Sequence, residues 1–212
     1  MMRVSKQVRT LATMIVLVGG MQIFGMILAG GRSPLPPTRL NAPPPFAIRQ
    51  APTLGSRSAD VVIYLFSDYS CSNCRVMHAD LRRLVASDGK IRIVYRDWPV
   101  LGERSRRAAR LAIASVAQGR HAQFDDELMR RGGSLDEPAL RAAAQRADVD
   151  WPRLERALID KGKAIDDLLD DTDRQARALQ FVGTPVLLIG PFLSTGRIDA
   201  DRLRELVRQA RA

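Results

Sequence analysis

The chain has 212 residues, with 33 Lys and Arg against 23 Asp and Glu and a net charge of +10, a balance that first suggests a nucleic-acid partner. Seven of those basic residues (Arg3, Lys6, Arg9, Arg32, Arg39, Arg49, Arg57) precede Asp60 with no acid among them, so residues 60–212 carry only +3 and hold all 23 acids. Interspersed charges of both signs read as a solvated surface, which argues against nucleic acid, and the length suits one ordinary domain plus an appendage.

Residues 1–29 read as a signal-anchor or signal peptide. Arg3, Lys6 and Arg9 form a basic flank before the 19 uncharged, mostly apolar residues Leu11 to Ala29. As a helix that stretch spans about 28 Å, close to the hydrocarbon thickness of a bilayer. Cleavable signals carry a shorter apolar region of about 7–15 residues, and Ile27-Leu28-Ala29 matches a cleavage site poorly. A retained anchor is the favoured reading, a cleaved signal the other. Either way the basic flank stays in the cytoplasm and the remainder is exported to the periplasm or another extracytoplasmic space. Residues 30–58 contain Pro34, Pro36, Pro37, Pro43, Pro44, Pro45 and Pro52, and read as an extended, semi-rigid linker. The remaining residues, 59–212, form the folded domain.

Val61 to Phe66 has the β-branched and aromatic composition of a buried strand, and Ser67-Asp68-Tyr69-Ser70 follows as a polar turn. Cys71-Ser72-Asn73-Cys74 comes next. Val76, Met77, Leu81, Leu84 and Val85 then recur at helical spacing. Cys71 therefore stands at a helix N-terminus and Cys74 one turn inside, where unpaired N–H groups and the helix dipole favour a thiolate at Cys71. Half of a zinc site completed by His78 and His121 is one alternative, and a structural disulfide is another. Haem attachment is excluded because Arg75, not His, follows Cys74. A redox-active dithiol is favoured, in a compartment where disulfides persist.

Ile91 to Tyr95 reads as a second strand ending in a turn at Arg96-Asp97-Trp98-Pro99. A long helical region follows: Ser105–Gln118, His121–Arg131, a helix capped by Asp136, another from Asp150 through Ile159, and a last one from Lys163 to Gln180. Val182 to Ile189 returns to strand composition, with Pro185 at its start. Phe192 to Ser194 makes a short strand, and Asp199 caps a closing helix. Strand, helix, strand, several helices, two strands and helix make an α/β domain with a helical insertion. His78 and His121 read as structural histidines, and Trp98 and Trp151 as packing residues.

Three features of this domain resemble the thioredoxin superfamily, and more narrowly the DsbA-like thiol:disulfide oxidoreductases. They are the strand–Cys71-Ser72-Asn73-Cys74–helix unit, the run from Pro99-Val100-Leu101-Gly102 through Ser105, Ala108-Ala109, Gln118-Gly119 and Phe124, and Gly183-Thr184-Pro185. The resemblance implies a thioredoxin fold with an all-helical insertion, at about residues 103–181, between the second and third strands. It also implies a cis peptide bond before Pro185, with Thr184 and Pro185 opposite the cysteines and holding an extended substrate segment. Ser72 and Asn73 would tune the thiolate. They stand where the best-known oxidant of the family has Pro-His, so a milder oxidant is expected. Six residues before Cys71, where many relatives have a buried acid, stands Leu65, and Asp68 falls in the expected exposed turn.

The function this implies is disulfide exchange with cysteine-containing exported proteins. Cys71 would form the mixed disulfide and Cys74 resolve it, with no metal or organic cofactor, and a separate redox partner would recycle the pair. A membrane-tethered copper chaperone using the same cysteines, and a non-catalytic binding domain of this fold, are the alternatives.

Overall fold

The structure, a computed structural model, describes residues 37–40, 51–130 and 134–212. In chain order its strands are β1 (Thr38–Arg39), β2 (Thr53–Gly55), β3 (Val61–Ser67), β4 (Ile91–Asp97), β5 (Val186–Ile189) and β6 (Phe192–Thr195). Its helices are α1 (Ser72–Ser87), α2 (Glu103–Ala114), α3 (His121–Arg130), α4 (Glu137–Arg146), α5 (Trp151–Ala178) and α6 (Ala200–Ala210), with a 3₁₀ turn at Ser115–Gln118. The sheet order is β1-β6-β5-β3-β4-β2. Among the described strands only β3 and β4 are parallel, joined through α1, and every other pair is antiparallel.

Alternation along β3 and β4 decides what covers each face. Val61, Ile63, Leu65, Ile91, Ile93 and Tyr95 turn to one side, where Met77, Leu81 and Leu84 of α1 and Leu203, Leu206 and Val207 of α6 bury against them. Fully burying each such side chain contributes about 1.5–3 kcal/mol. On the other face Phe66, Val186 and Leu188 meet Trp98, Ala176 and Phe181, with the Phe66 and Phe181 rings edge-on at 5.2 Å. The buried Arg96 donates to Asp171 at 3.1 Å and to Gln175 at 2.7 Å, and Trp98 Nε1 donates to Asp173 at 2.9 Å. These bonds fasten the end of α5 to the sheet.

The helical insertion has its own core, which includes Leu111, Phe124, Leu128, Leu140, Leu154 and Leu169 and reaches Tyr69, Cys71 and Cys74. Its helices start where the sequence offers caps: Asp136 accepts from Ala139 N–H and Asp150 from Arg153 N–H, each with proline in the first turn. Asp199 caps α6 in the same way.

Several expected boundaries move. The helices expected at Asp150–Ile159 and Lys163–Gln180 are one continuous α5. Gly162 falls in the expected gap between them, yet it is buried inside the helix, and a Cβ there would approach Arg110 Nη2 at 3.4 Å. The cost of a helical glycine, about 1 kcal/mol, is outweighed by one buried stripe running from Leu154 through Ile165 and Leu169 to Ala176. Arg96 and Asp97, read as a turn, are the last residues of β4 and are buried. Two pieces of the expected 30–58 linker, Thr38–Arg39 and Thr53–Gly55, pair onto the two edges of the sheet. They are too short to show a hydrophobic period. Gly55 is at φ +97°, and a Cβ there would lie 2.2 Å from Ile91 O, so this edge pairing requires glycine. The expected membrane segment Leu11–Ala29, and most of the Pro-rich segment, lie outside the described residues. Among those described, no helix is long and apolar enough to cross a membrane.

Candidate active site

Cys71 is the N-cap of α1, with an extended backbone at φ −74° and ψ 117°. Its Sγ accepts the N–H of Cys74 at 3.3 Å and donates to the backbone oxygen of Thr184 at 3.4 Å. A sulfur in the cap position takes the place of the usual Ser or Asp oxygen, and an anionic sulfur suits the helix terminus better than a neutral one. The Cys74 thiol hydrogen-bonded to it is the largest cause lowering the Cys71 pKa, to about 6, against the opposing effect of burial; backbone N–H groups of Cys74 and Asn73 add to the lowering. Cys74 is pushed the other way, first by that same bond and then by burial. Both thiols are free. One sulfur is thus prepared to attack at neutral pH while the other keeps its proton.

The peptide bond between Thr184 and Pro185 is cis. Pro185 is buried and Thr184 half-buried, immediately before β5 and against the Cys71 sulfur. The structure therefore brings Cys71, Cys74 and Thr184 together from opposite ends of the domain. Ser72 and Asn73 are exposed, and Asn73 faces the sulfur with its backbone N–H rather than as a side-chain amide donor.

Asp68 is not in an exposed turn: it is 1% exposed. Its Oδ1 accepts Ser70 N–H at 2.7 Å and Ser105 Oγ–H at 2.6 Å, and its Oδ2 accepts Leu101 N–H at 2.9 Å. The aspartate folds back on the residue two ahead, a common local habit of Asp, and then reaches the loop before α2. It ties the cysteine loop to the insertion. Leu65 is buried in the apolar layer between the sheet, α1 and α6, and offers no proton to Cys74.

Behind the cysteines lies a buried polar group of residues that sequence reasoning missed. Tyr69 Oη–H donates to Asp125 Oδ1 at 3.1 Å, and His78 Nε2 lies 2.9 Å from Asp125 Oδ2. His78, read as a structural histidine, is buried, one helical turn beyond Cys74. Burial opposes ionisation of Asp125, but the bond to His78, its charge and the Tyr69 hydroxyl hold its pKa below the ordinary value. Asp97 goes the other way: burial, then the charges of Asp125 and Asp68, push its carboxyl well above the usual range. The available signal was Asp97 at the end of a strand paired with Ser67, beside the cysteine loop, but a charge next to Trp-Pro read as a turn.

His78, Asp125 and Asp126 offer three ligand atoms within 4.8 Å of one another. Tyr69 already donates to Asp125, and Arg82 holds Asp126 at 2.8 Å, so a cation would have to displace an arginine. Beside Ser72 and Arg75 opens a cleft of about 910 Å³, walled by α1 and α3, with His78, Arg82 and Asp126 on its lining.

Residues 49–209 match the Thioredoxin family. Among solved structures, a thioredoxin-like oxidoreductase from Silicibacter pomeroyi is 33% identical with a TM-score of 0.72, covering 77% of this chain and 93% of its own. The thiol-disulfide exchange protein alpha-DsbA2 from Wolbachia pipientis is 27% identical with a TM-score of 0.72, covering 75% and 86%. The catalytic domain of Proteus mirabilis ScsC shares the fold at 21% identity and a TM-score of 0.68, covering 76% and 89%. No curated protein matches the chain.

Proposed function

From the premise that this chain belongs to the thioredoxin superfamily and is DsbA-like, we propose that it exchanges disulfides with cysteine-containing proteins outside the cytoplasm. The observation that carries the reading is the Cys71 sulfur, capped by Cys74 N–H and held against the Thr184 backbone. When the pair is oxidised, a substrate thiolate attacks Cys71 Sγ; the Cys71–Cys74 bond breaks, and Cys74 leaves and takes up a proton. A second substrate thiolate then attacks the substrate sulfur of the mixed disulfide and releases Cys71 as a stable thiolate. The substrate loses two electrons and the enzyme gains them. The reverse sequence reduces a substrate disulfide, and a redox partner restores the starting state. Thr184 and Pro185 border the sulfur that forms the mixed disulfide, so a substrate segment would lie along them, while Ser72 and Asn73 form its exposed border. The N-terminal apolar segment supports export, with anchoring by residues 11–29 part of the same proposal.

The test is exchange with a reduced or disulfide-bonded protein substrate. Cys71→Ser should abolish it, and Cys74→Ser should accumulate mixed disulfides. If both variants still turn over, the assignment fails. Stoichiometric Cu(I) binding that competes with disulfide formation, without turnover, would instead favour a metal chaperone.

A further inference from the structure

We propose that the cleft between α1 and α3 seats the stretch of a substrate protein next to its reacting cysteine and selects acidic residues there, with Arg75 reading the carboxylate nearest the sulfur. This rests on the reading of Cys71 and Cys74 as a redox pair and names the class of protein that the pair serves.

Position comes first. The cleft opens at Ser72, the residue after Cys71, and runs along α1 as far as Arg82. That length of helix spans about 15 Å, room for about four or five extended residues. A chain bonded through its sulfur to Cys71 therefore enters the cleft within about two residues. Arg75 stands four residues after Cys71 on the same side of α1, its main-chain N–H bonded to Cys71 O at 3.1 Å. The guanidinium is half-buried and donates through Nη1 to Tyr69 O at 3.2 Å. That bond aims the group without neutralising it. Among the described residues no carboxylate pairs with Arg75.

The other charges of the cleft are already balanced. Arg82 holds Asp126 at 2.8 Å, and Glu127 accepts from both Arg130 and Arg146, the latter at 2.6 Å. Four arginines thus face two carboxylates, which leaves Arg75 and one of the pair around Glu127 uncompensated. A fixed guanidinium takes a carboxylate through two parallel N–H bonds, whereas a substrate lysine in the same place meets only like charge. On the same wall Val76 is 53% exposed and offers an aliphatic substrate side chain something to cover. The fitting occupant is a segment with acidic residues and an aliphatic one beside the cysteine. The Thr184 backbone is indifferent to side chains, so the cleft supplies the discrimination.

The experiment takes the full-length oxidised protein and single-cysteine peptides that carry a pair of Glu, Gln or Lys residues close to the cysteine. Loss of the Cys71–Cys74 disulfide is followed, with rates expressed per peptide thiolate. At about 50 mM salt the wild type should react about fivefold or more faster with Glu than with Lys peptides, Gln falling between, and the ratio should shrink at about 0.5 M salt. The salt dependence needs no variant. Arg75→Glu should cut the ratio by about threefold or more. Arg153→Glu, the same change of charge on α5 and outside the cleft, should not. A smaller wild-type ratio, one indifferent to salt, one that survives Arg75→Glu, or one that Arg153→Glu lowers equally overturns the proposal. If all the peptides exchange alike, the selectivity falls and the redox pair stands; if none exchanges, the redox reading falls with it.

Discussion

Lowering the pH should set Cys71 apart from an ordinary thiol far more clearly than neutral conditions do. Cys71 ionises at about 6, against about 8.5 for a free cysteine. At about pH 7 it is roughly 90% thiolate and a free thiol about 3%, a thirtyfold gain. A weaker base is also a weaker nucleophile: with a Brønsted slope of about 0.4–0.5, a pKa gap of about 2.5 costs roughly 10- to 18-fold. The two effects nearly cancel, leaving an advantage of about two- to threefold. At about pH 5 the thiolate fractions are roughly 9% and 0.03%, and the advantage grows to about twentyfold. The assay is the initial rate of reaction of the reduced protein with a chromogenic disulfide, beside a small thiol under the same conditions. Cys74→Ala, which removes the thiol bonded to Cys71 but keeps the backbone donors, should lose much of the advantage at low pH. A wild-type profile with its midpoint near 8.5, or one unchanged by Cys74→Ala, would refute the reasoning.

Three other outcomes follow from the same structure. In the reduced protein the lowered Cys71 pKa adds stability that is fully present above about 8.5 and lost as pH falls through about 6. It amounts to about 3 kcal/mol before screening and about 1–2 kcal/mol after it. The raised Cys74 pKa acts oppositely, so the advantage over Cys71→Ser in denaturant titrations should peak near pH 8 and be absent from the oxidised protein. The Cys71/Cys74 couple should titrate against glutathione between about −270 and −120 mV, because its thiolate falls between those of thioredoxin and the strongly oxidising DsbA. Gly162→Ala should raise stability by about 0.5–1 kcal/mol if α5 is continuous, whereas loss of stability would point to a break there.

What could be read from the sequence was whatever neighbouring residues determine among themselves. The place of Thr184-Pro185 came only from the family resemblance, but a β-branched run, a Cys-x-x-Cys and a helical apolar period are local, so β3 and Cys71 at the start of α1 were legible. The edges were not: two or three residues at Thr38–Arg39 and Thr53–Gly55 carry no period of their own and pair only because β6 and β4 offer open edges. Buried charges misled for a related reason. Arg96, Asp97, Asp68 and His78 are polar by composition, and their burial depends on partners 33 to 79 positions away where such partners exist. Asp97, with none among the described residues, left no trace in the pattern at all.

The bond between Cys71 and Thr184 spans 113 positions of chain, and this bears on how the protein matures. The central strand β3 receives β4 on one side soon after it is made, but its other neighbour, β5, arrives only after the whole helical insertion has been synthesised. The helices can assemble early from local contacts, while closure of the sheet waits on a distant segment. During synthesis the Cys-x-x-Cys helix therefore emerges well before the strand that completes its surroundings. Newly made molecules pass through a stage in which both thiols lack the Thr184 backbone beside them, until the segment carrying β5 and β6 docks.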